Sequence, residues 1–171
     1  MARIAIVGNA GGGKSTLARQ IACKLGIRHT EIDSLLWQEG WVETPTEIYE
    51  LRHAEITSEE HWVIDGLGRL DSIPDRLSRA TNIVLLIDMP LWMHFWLAAE
   101  RQIAWIGGAL EHSPGGLTTM PPTKALFQAI WDVEQSWMVK IRTLCDEAKH
   151  QGKEVVRLAS VEEIGAFAAS I

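Results

Sequence analysis

A glycine-rich turn lies between the first apolar run of the chain and its first helix-forming segment. Residues 8–15 read Gly-Asn-Ala-Gly-Gly-Gly-Lys-Ser, which satisfies the spacing G-x-x-x-x-G-K-[ST] in full. Glycines let backbone N–H groups turn inward and approach phosphate oxygens closely, and the next residues, 16–24, favour a helix whose N-terminal end attracts anions. The segment therefore predicts a binding site for the polyphosphate of a nucleoside triphosphate. The alternative is a glycine-rich turn that binds nothing.

The residues predicted to hold the nucleotide are consecutive in the sequence. They are Gly8, Asn9, Ala10, Gly11, Gly12, Gly13, Lys14, Ser15 and Thr16. Lys14 brings a positive charge to the phosphates and is also a predicted catalytic residue, and the Ser15 hydroxyl is a predicted ligand of Mg²⁺. The expected cofactors are therefore a nucleoside triphosphate, which the kinase hypothesis below takes to be ATP, and Mg²⁺.

Apolar runs alternate with helix-like segments along the chain. The runs predicted as strands are 3–7, 27–33, 61–65, 82–87 and 154–158, and the longer predicted helices are 14–25, 91–106 and 125–149. Thr44 and Ser160 are predicted to cap the helices that follow them. The alternation predicts an α/β fold, a three-layer sandwich in which a five-stranded parallel sheet carries helices on both faces and binds ligands beyond the carboxyl ends of its strands.

The length of the chain favours one domain. The 171 residues, 47% of them hydrophobic, suffice for a single core that spans residues 1–171. Residues 34–60 are predicted to form one side of the site, and the glycine- and proline-rich stretch 107–122 an exposed, lid-like loop. Helix 91–106 carries an apolar stripe at near-helical spacing, which is predicted to face the core. The stripe consists of Trp92, Phe95, Trp96, Ala99, Ile103 and Ile106.

Charge and cysteine content exclude several classes of function. The chain has 22 acidic and 16 basic residues, a net charge of -6, and no cluster of five or more lysines and arginines, so binding to nucleic acid is disfavoured. Cys23 and Cys145 are too few and too far apart for a disulfide framework or a zinc site. No apolar run is long enough for a signal peptide or a membrane span. We expect a cytoplasmic protein without a membrane partner, and the sequence does not indicate its oligomeric state.

Two aspartates follow buried strands. Asp65 comes after 62–64 and is predicted to hold Mg²⁺ through water, and Asp88 has the same local form after 83–87. In both cases the alternative is an aspartate that caps the next turn, and Asp65 is the preferred metal residue. It is preferred because a glycine-containing turn follows it and ends at Arg69, whose guanidinium suits bidentate binding of a phosphate.

The two glycine-containing segments, 8–15 and 65–69, resemble those of the adenylate kinase type of small phosphate-loop kinase, whose second motif reads Asp-Gly-aromatic-Pro-Arg. Leu67 and Gly68 replace the aromatic residue and the proline. Most of the chain is similar to a bacterial group of adenylate-kinase-related proteins labelled DNA topology modulation proteins. That similarity rests on the loop, on 32–33 with Trp37, and on 40–45, 62–66 and 88–92. The resemblance implies a nucleoside triphosphate-dependent kinase fold with a mobile lid, whereas the acidic balance argues against a DNA-binding role.

The resemblance also implies roles for further residues. Arg101 takes the place of an arginine at the root of the lid, and Asp33 looks like the carboxylate that orients or deprotonates an acceptor hydroxyl, or else it caps a turn. The family's lid arginines are missing, because 107–122 contains no lysine or arginine. Other basic residues could compensate, namely Lys124, Lys140 and Arg142. Arg76 and Arg79 are expected to be surface charges, and the alternative is that one of them reaches the acceptor. Trp37 and Trp41 either line the acceptor pocket or pack in the core.

Two functions are consistent with these features. The first is a Mg²⁺-dependent kinase that transfers the γ-phosphoryl group of ATP to a small acceptor, such as a nucleoside monophosphate or a small hydroxyl compound, with Lys14, Asp33, Arg69 and Arg101 as the catalytic residues. The second is a nucleotide-binding regulatory or interaction protein with weak or no transfer activity, which the arginine-poor lid favours.

Overall fold

The structure is a computed structural model that describes residues 2–81 and 83–171. Its strands are β1 (Arg3–Gly8), β2 (His29–Glu31), β3 (Trp37–Gln38), β4 (Val42–Glu43), β5 (Trp62–Asp65), β6 (Ile83–Ile87) and β7 (Glu154–Leu158). Its α-helices are α1 (Lys14–Leu25), α2 (Asp33–Leu36), α3 (Thr46–Ser58), α4 (Ile73–Arg79), α5 (Leu91–Ile106), α6 (Thr123–His150) and α7 (Val161–Ser170). Asn82, predicted as the first residue of the fourth main strand, lies outside the described residues.

The main sheet has five parallel strands in the order β2-β5-β1-β6-β7. The central strand β1 pairs with β5 on one side and with β6 on the other, so that Ile6 lies opposite both Asp65 and Leu85. The predicted five-stranded parallel sheet is thus confirmed. Because parallel strands carry their carboxyl ends at one edge, the turns after β1, β2 and β5 meet there.

The core consists of two apolar clusters on opposite faces of this sheet. Alternate residues of β1 point to opposite faces, so Ala5 and Val7 belong to one cluster and Ile4 and Ile6 to the other. Helices α3, α4 and α6 cover the first face, whereas α1, α7 and part of α5 cover the second. Helices therefore lie on both faces of the sheet, as the alternation of strands and helices predicts.

Several element boundaries differ from the prediction. The second strand is shorter, because β2 ends at Glu31 and α2 begins at Asp33. The predicted cap at Thr44 is wrong: α3 begins at Thr46 after Pro45, and Thr44 is a buried residue whose N–H donates to the carbonyl of Leu36 at 2.8 Å. The hairpin formed by β3 and β4 was not predicted.

The predicted cap of the last helix is correct. The Ser160 hydroxyl accepts a hydrogen bond from the N–H of Glu163 at 3.1 Å, and the Glu163 carboxylate accepts one from the N–H of Ala159 at 2.7 Å. These bonds satisfy backbone donors that the first turn of a helix leaves without intrahelical partners. Gly26, in the left-handed conformation with φ 65°, ends α1 as expected.

The prediction that the stripe of α5 faces the core is wrong. Trp92, Trp96, Ile103 and Ile106 are 60–75% exposed, whereas His94, Ala98 and Gln102 are buried. Helix α5 is apolar on nearly every side, so its periodicity does not identify the buried face. The face that packs inward carries polar groups with partners in the fold: His94 contacts the carbonyl of Ala10, and Gln102 donates to that of Pro121 at 3.2 Å.

The stretch 107–122 connects α5 to α6 and contains one turn of 3₁₀-helix, Pro114–Gly116. Most of its residues are exposed or half-buried, as predicted, but Leu117 and Pro121 are buried and anchor the loop to the body of the protein. Among the described residues, no helix combines the length and the apolar content that crossing a membrane requires.

Candidate functional site

The phosphate-binding loop connects the end of β1 to the start of α1. Gly11 has φ +76°, and a Cβ there would lie 2.5 Å from the carbonyl oxygen of His94, so this position accepts glycine alone. A Cβ at Gly8, where φ is +142°, would overlap the backbone of Ile87 in the neighbouring strand. The sequence thus forms a tight loop of backbone N–H groups at the N-terminus of a 12-residue helix, an arrangement suited to binding phosphate.

Two buried side chains fix the shape of this loop. The Asn9 amide donates to the carbonyl of Ile130 in α6 at 2.8 Å, and its oxygen accepts from the N–H of Ala10 at 2.8 Å. His94 Nδ1 donates to the carbonyl of Ala10 at 2.9 Å, and its Nε2 has no hydrogen-bond partner among the described residues. Burial, followed by the charge of Lys14, lowers the pKa of His94. His94 is therefore a neutral donor at pH 7, and the sequence analysis did not select it.

Lys14 lies inside the loop rather than in solvent. Its ammonium donates to the carbonyl of Asn9 at 2.7 Å, and only 7% of the residue is exposed. Burial lowers the pKa of Lys14, while the nearby carboxylates of Asp33 and Asp65 act in the opposite direction. A buried ammonium with so little hydration gains more from an approaching anion than an exposed one does, because the local dielectric constant is low.

Ser15 and Asp65 meet at the carboxyl edge of the sheet. The Ser15 hydroxyl donates to Asp65 Oδ2 at 2.7 Å, and His29 Nε2 lies 2.6 Å from Asp65 Oδ1. These two oxygen donors fit Mg²⁺, which takes few protein ligands and keeps water and phosphate oxygens. The described residues contain no group of three or more histidine, cysteine or acidic side chains that could hold a metal. A metal here would therefore depend on the phosphates for further ligands.

Asp33 faces the turn that follows β5. Its Oδ1 accepts a hydrogen bond from the N–H of Gly68 at 2.8 Å. Burial raises the pKa of Asp33, and Lys14 partly offsets this effect. A carboxylate with a raised pKa is a stronger base than an exposed one. Asp33 is the first residue of α2, whose N-cap position is Ile32 and has no side-chain cap, so the Asp33 carboxylate bonds to the turn after β5 rather than capping its own helix.

Tyr49, which the sequence analysis did not select, and Arg76 hold this turn in place through hydrogen bonds to its backbone. The Tyr49 hydroxyl accepts from the N–H of Arg69 at 3.1 Å, and Arg76 Nη2 donates to the carbonyls of Gly66 and Leu67 at 2.9 and 3.1 Å. The expectation that Arg76 is a surface charge is wrong, because the residue is fully buried. Burial lowers the pKa of Arg76, whereas Tyr49 and the nearby acidic groups raise it.

The two arginines predicted to neutralise the moving phosphoryl group lie in different places. Arg101 projects from α5 towards Glu31 and Asp33. Burial lowers the pKa of Arg101, whereas the charges of these two carboxylates raise it. Within 2–81 and 83–171, Arg101 has no ion pair or hydrogen bond. Arg69 lies instead 3.2 Å from Glu43 of β4 and 3.5 Å from Asp71. The structure therefore brings Arg101 close to Lys14 and commits Arg69 to two carboxylates.

Asp88 is surrounded by arginines rather than by metal-binding groups. Arg142 donates to Oδ1 at 2.8 and 3.0 Å and to Oδ2 at 3.1 Å, and Arg157 Nη2 lies 2.6 Å from Oδ2. Arg142 also pairs with Glu134 at 2.7 Å, and these hydrogen bonds raise its pKa. Arg142 and Asp88 thus tie α6 to the end of β6. The other basic residues considered above are placed elsewhere: Lys140 lies 4.3 Å from the centre of the Trp137 ring, and Lys124 lines a groove between α5 and α6.

The lid-like loop rests on the hairpin β3–β4. Glu39 accepts hydrogen bonds from the N–H and hydroxyl groups of Thr118 and Thr119, which lower its pKa to about 2. Trp41 donates its ring N–H to the carbonyl of Thr119 at 2.8 Å, and its ring packs at 5.9 Å from that of Trp37. A carboxylate, rather than an arginine, therefore holds this loop against the hairpin.

No protein-family model and no curated protein matches the chain. Solved structures do match it. A shikimate kinase from Acinetobacter baumannii in complex with shikimate is 15% identical with a TM-score of 0.53, over 99% of this chain and 90% of that one. A gluconokinase from Sinorhizobium meliloti 1021 is 17% identical with a TM-score of 0.50, over 99% of this chain and 92% of that one. At such identities the likeness shows the fold alone, so the predicted three-layer α/β sandwich is confirmed. The resemblance to DNA topology modulation proteins stays a prediction.

Proposed function

We propose that the protein is a Mg²⁺-dependent kinase that transfers the γ-phosphoryl group of ATP to the hydroxyl group of a small acceptor. The observation that carries this proposal is the convergence of three elements at one edge of the sheet. These are the phosphate-binding loop with Lys14, the hydrogen-bonded pair Ser15–Asp65, and Asp33 with its raised pKa. Phosphoryl transfer requires positioning and charge neutralisation above all, and each element supplies one part of this.

Separate residues bind the phosphates, hold the metal and accept the proton. The loop amides and the Lys14 ammonium bind the β- and γ-phosphates, and Ser15 with Asp65 would hold Mg²⁺, which supplies further positive charge to the phosphates. The acceptor oxygen forms its bond to the γ-phosphorus as the bond to the bridging oxygen of the departing ADP breaks. Asp33 accepts the proton of the acceptor hydroxyl. Arg101 faces the negative charge that the transferred group carries, because no carboxylate within the described residues pairs with it directly.

The charges on the acceptor side favour a small hydroxyl compound over a nucleoside monophosphate. A monophosphate brings two negative charges, which enzymes commonly hold with free arginines. Here Arg69 is paired with Glu43 and Asp71, and Arg76 is buried behind the turn with its Nη2 committed to two carbonyls. We infer that the acceptor is neutral or carries a single negative charge.

One observation favours the alternative, a nucleotide-binding protein with weak or no transfer activity. Residues 107–122 carry no lysine or arginine, and a carboxylate holds this loop in place. An arginine that stabilises the transferred phosphoryl group is worth roughly 10³-fold or more in rate. If Arg101 does not fill this role, the protein binds ATP without efficient transfer.

An ADP-release assay with Mg-ATP and a panel of acceptors tests the proposal. The panel holds neutral polyols, hydroxy acids with one carboxylate, and nucleoside monophosphates, and phosphorus NMR identifies the product. We expect release that depends on a polyol or a hydroxy acid and is abolished by Lys14→Ala. The Lys149→Ala variant, changed at an exposed lysine in the last turn of α6, should keep the parent rate. Tight ATP binding by calorimetry with only background hydrolysis across the panel would select the alternative.

A further inference from the structure

Helix α5 presents an apolar seam to solvent. Trp92 is 63% exposed, Trp96 60%, Ile103 70% and Ile106 75%, and the half-buried Ala99 lies at the middle of the row. These five residues, which we name the α5 seam, follow one another at intervals of four, three, four and three. Large apolar side chains this exposed and this regularly spaced are unusual on a folded surface and mark a place of contact.

The spacing identifies the kind of contact. Intervals of four and three repeat every seven residues, which is the pattern of the a and d positions that one helix offers to another. A face that receives an extended peptide or a small ligand has no need of this period. The small side chain at Ala99 lets a second helix approach closely at the middle of the seam, while larger side chains flank it on both sides. The occupant that this surface fits is therefore a helix.

The exposed area is near that of a specific interface. The seam, with Trp131 of α6 at 49% exposure beside it, presents on the order of 600 Å² of apolar side chain. Two such faces together bury on the order of 1,200 Å², where the range for specific protein interfaces begins. A groove of about 400 Å³, lined by Phe95, Phe127 and Trp131, continues the apolar surface from α5 onto α6.

The charges on α5 favour a second copy of the chain over a lipid surface. A symmetric interface places a patch against itself, so a patch of one sign repels its copy, whereas a nearly neutral patch does not. Helix α5 carries one acidic residue, Glu100, and one basic residue of the lysine or arginine type, Arg101. Arg101 projects towards Glu31 and Asp33. A helix that binds an anionic membrane carries several basic residues beside its apolar face, and α5 does not.

We propose that the α5 seam is the interface of a homodimer, in which α5 packs antiparallel against α5 of a second copy about a two-fold axis at Ala99. In this arrangement Trp92 lies opposite Ile106 of the partner subunit, and Trp96 lies opposite Ile103 of the partner subunit. Helices α5 and α6 of both copies then form a four-helix layer. The dimer does not depend on the proposed kinase activity, although Arg101 and the seam share one helix.

Sedimentation velocity tests the proposal on the full chain between about 1 and 100 µM. We expect a dimer that dissociates on dilution, and the Ile103→Glu variant should weaken it by about 30-fold or more. The matched control is Leu51→Glu, because Leu51 is 72% exposed on α3, away from the seam, and the change is the same in kind. Circular dichroism and thermal unfolding of both variants verify that the monomer still folds.

A cross-linking experiment tests the position of the axis. Ala99→Cys in a Cys23→Ser background should form a disulfide-linked dimer on mild oxidation, because the two-fold axis brings position 99 of both copies together. Leu51→Cys in the same background should not, and the remaining native thiol, Cys145, is buried. A parent protein that stays monomeric over the whole range overturns the proposal, whether or not it binds vesicles or another protein. An Ile103→Glu variant that dimerises as strongly as the parent also overturns the proposal.

Discussion

Protonation of His53 should weaken the fold in mild acid. His53 lies on the buried side of α3, where its ring stacks on Tyr49 at 5.9 Å and its Nε2 has no partner among the described residues. Burial, together with the charge of Arg76, lowers the pKa of His53 to about 4, against an ordinary value of 6.5. The folded state therefore holds a neutral imidazole at a pH where the unfolded chain has already bound a proton.

The size of the effect follows from this difference. A pKa that is lower in the folded state contributes stability above the unfolded pKa, and this contribution is lost as the pH falls towards the folded pKa. A pKa of 6.5 in the unfolded chain and of about 4 in the folded protein corresponds to about 3 kcal/mol of stability in total. About 2 kcal/mol of this is lost between pH 7 and pH 5. Because His53 is 5% exposed, solvent screens little of this energy.

Urea unfolding at pH 7 and pH 5 measures the loss. The His53→Phe variant keeps a ring against Tyr49 but has nothing to protonate, so its free energy of unfolding should fall between the two pH values by about 2 kcal/mol less than that of the parent. His150→Gln, at the exposed end of α6, is the control and should follow the parent. Equal losses in the parent and in His53→Phe would refute the reasoning.

Three further changes test the site. Asp33→Asn keeps an oxygen for the N–H of Gly68 but removes the base, so kcat should fall by roughly 10²–10⁴-fold. Burial raises the pKa of Asp33 and so penalises its ionised form at pH 7, and the thermal stability of Asp33→Asn at pH 7 should therefore be higher than that of the parent. A lower thermal stability would contradict this. His94→Leu removes the donor to Ala10 and should raise the Kd for Mg-ATP by about 10-fold in calorimetry, whereas His94→Asn, which can still donate, should stay near the parent. Glu39→Ala should speed hydrogen exchange at the lid amides that bond to it by about 10-fold, and unchanged exchange would show that other contacts hold the loop.

The sequence predicted the sheet and the glycine-rich turn between β1 and α1 well because both depend on local patterns. An apolar strand, a glycine turn and a helix follow one another without a gap, so position in the chain determines position in the fold. Arg76 shows where a local signal was available: it falls at helical spacing with the buried Ile73 and Leu77, which places it on the inward face of α4. His94 offered no such signal, because its partner Ala10 lies 84 residues away in the sequence.

Helix α5 shows a limit of periodicity. Its inward face carries His94 and Gln102, which a hydrophobicity pattern assigns to solvent, and its outward face carries two tryptophans, which the same pattern assigns to the core. Polar groups are buried where they have hydrogen-bond partners, and such partners belong to the tertiary structure rather than to the helix. The wrong assignment of this helix thus has the same physical origin as the omission of His94 from the site.

The phosphate loop is held by the two helices that flank the lid. His94 of α5 donates to the carbonyl of Ala10, and Asn9 donates to the carbonyl of Ile130 in α6, so adjacent loop residues are attached to helices that the segment 107–122 connects. The Asn9 bond is buried and the His94 bond is partly buried, and a buried hydrogen bond is costly to break without a replacement. A shift of either helix must therefore move the loop backbone or lose one of these bonds. In this fold, the shape of the proposed phosphate loop and the positions of the helices that flank segment 107–122 are linked through two side chains.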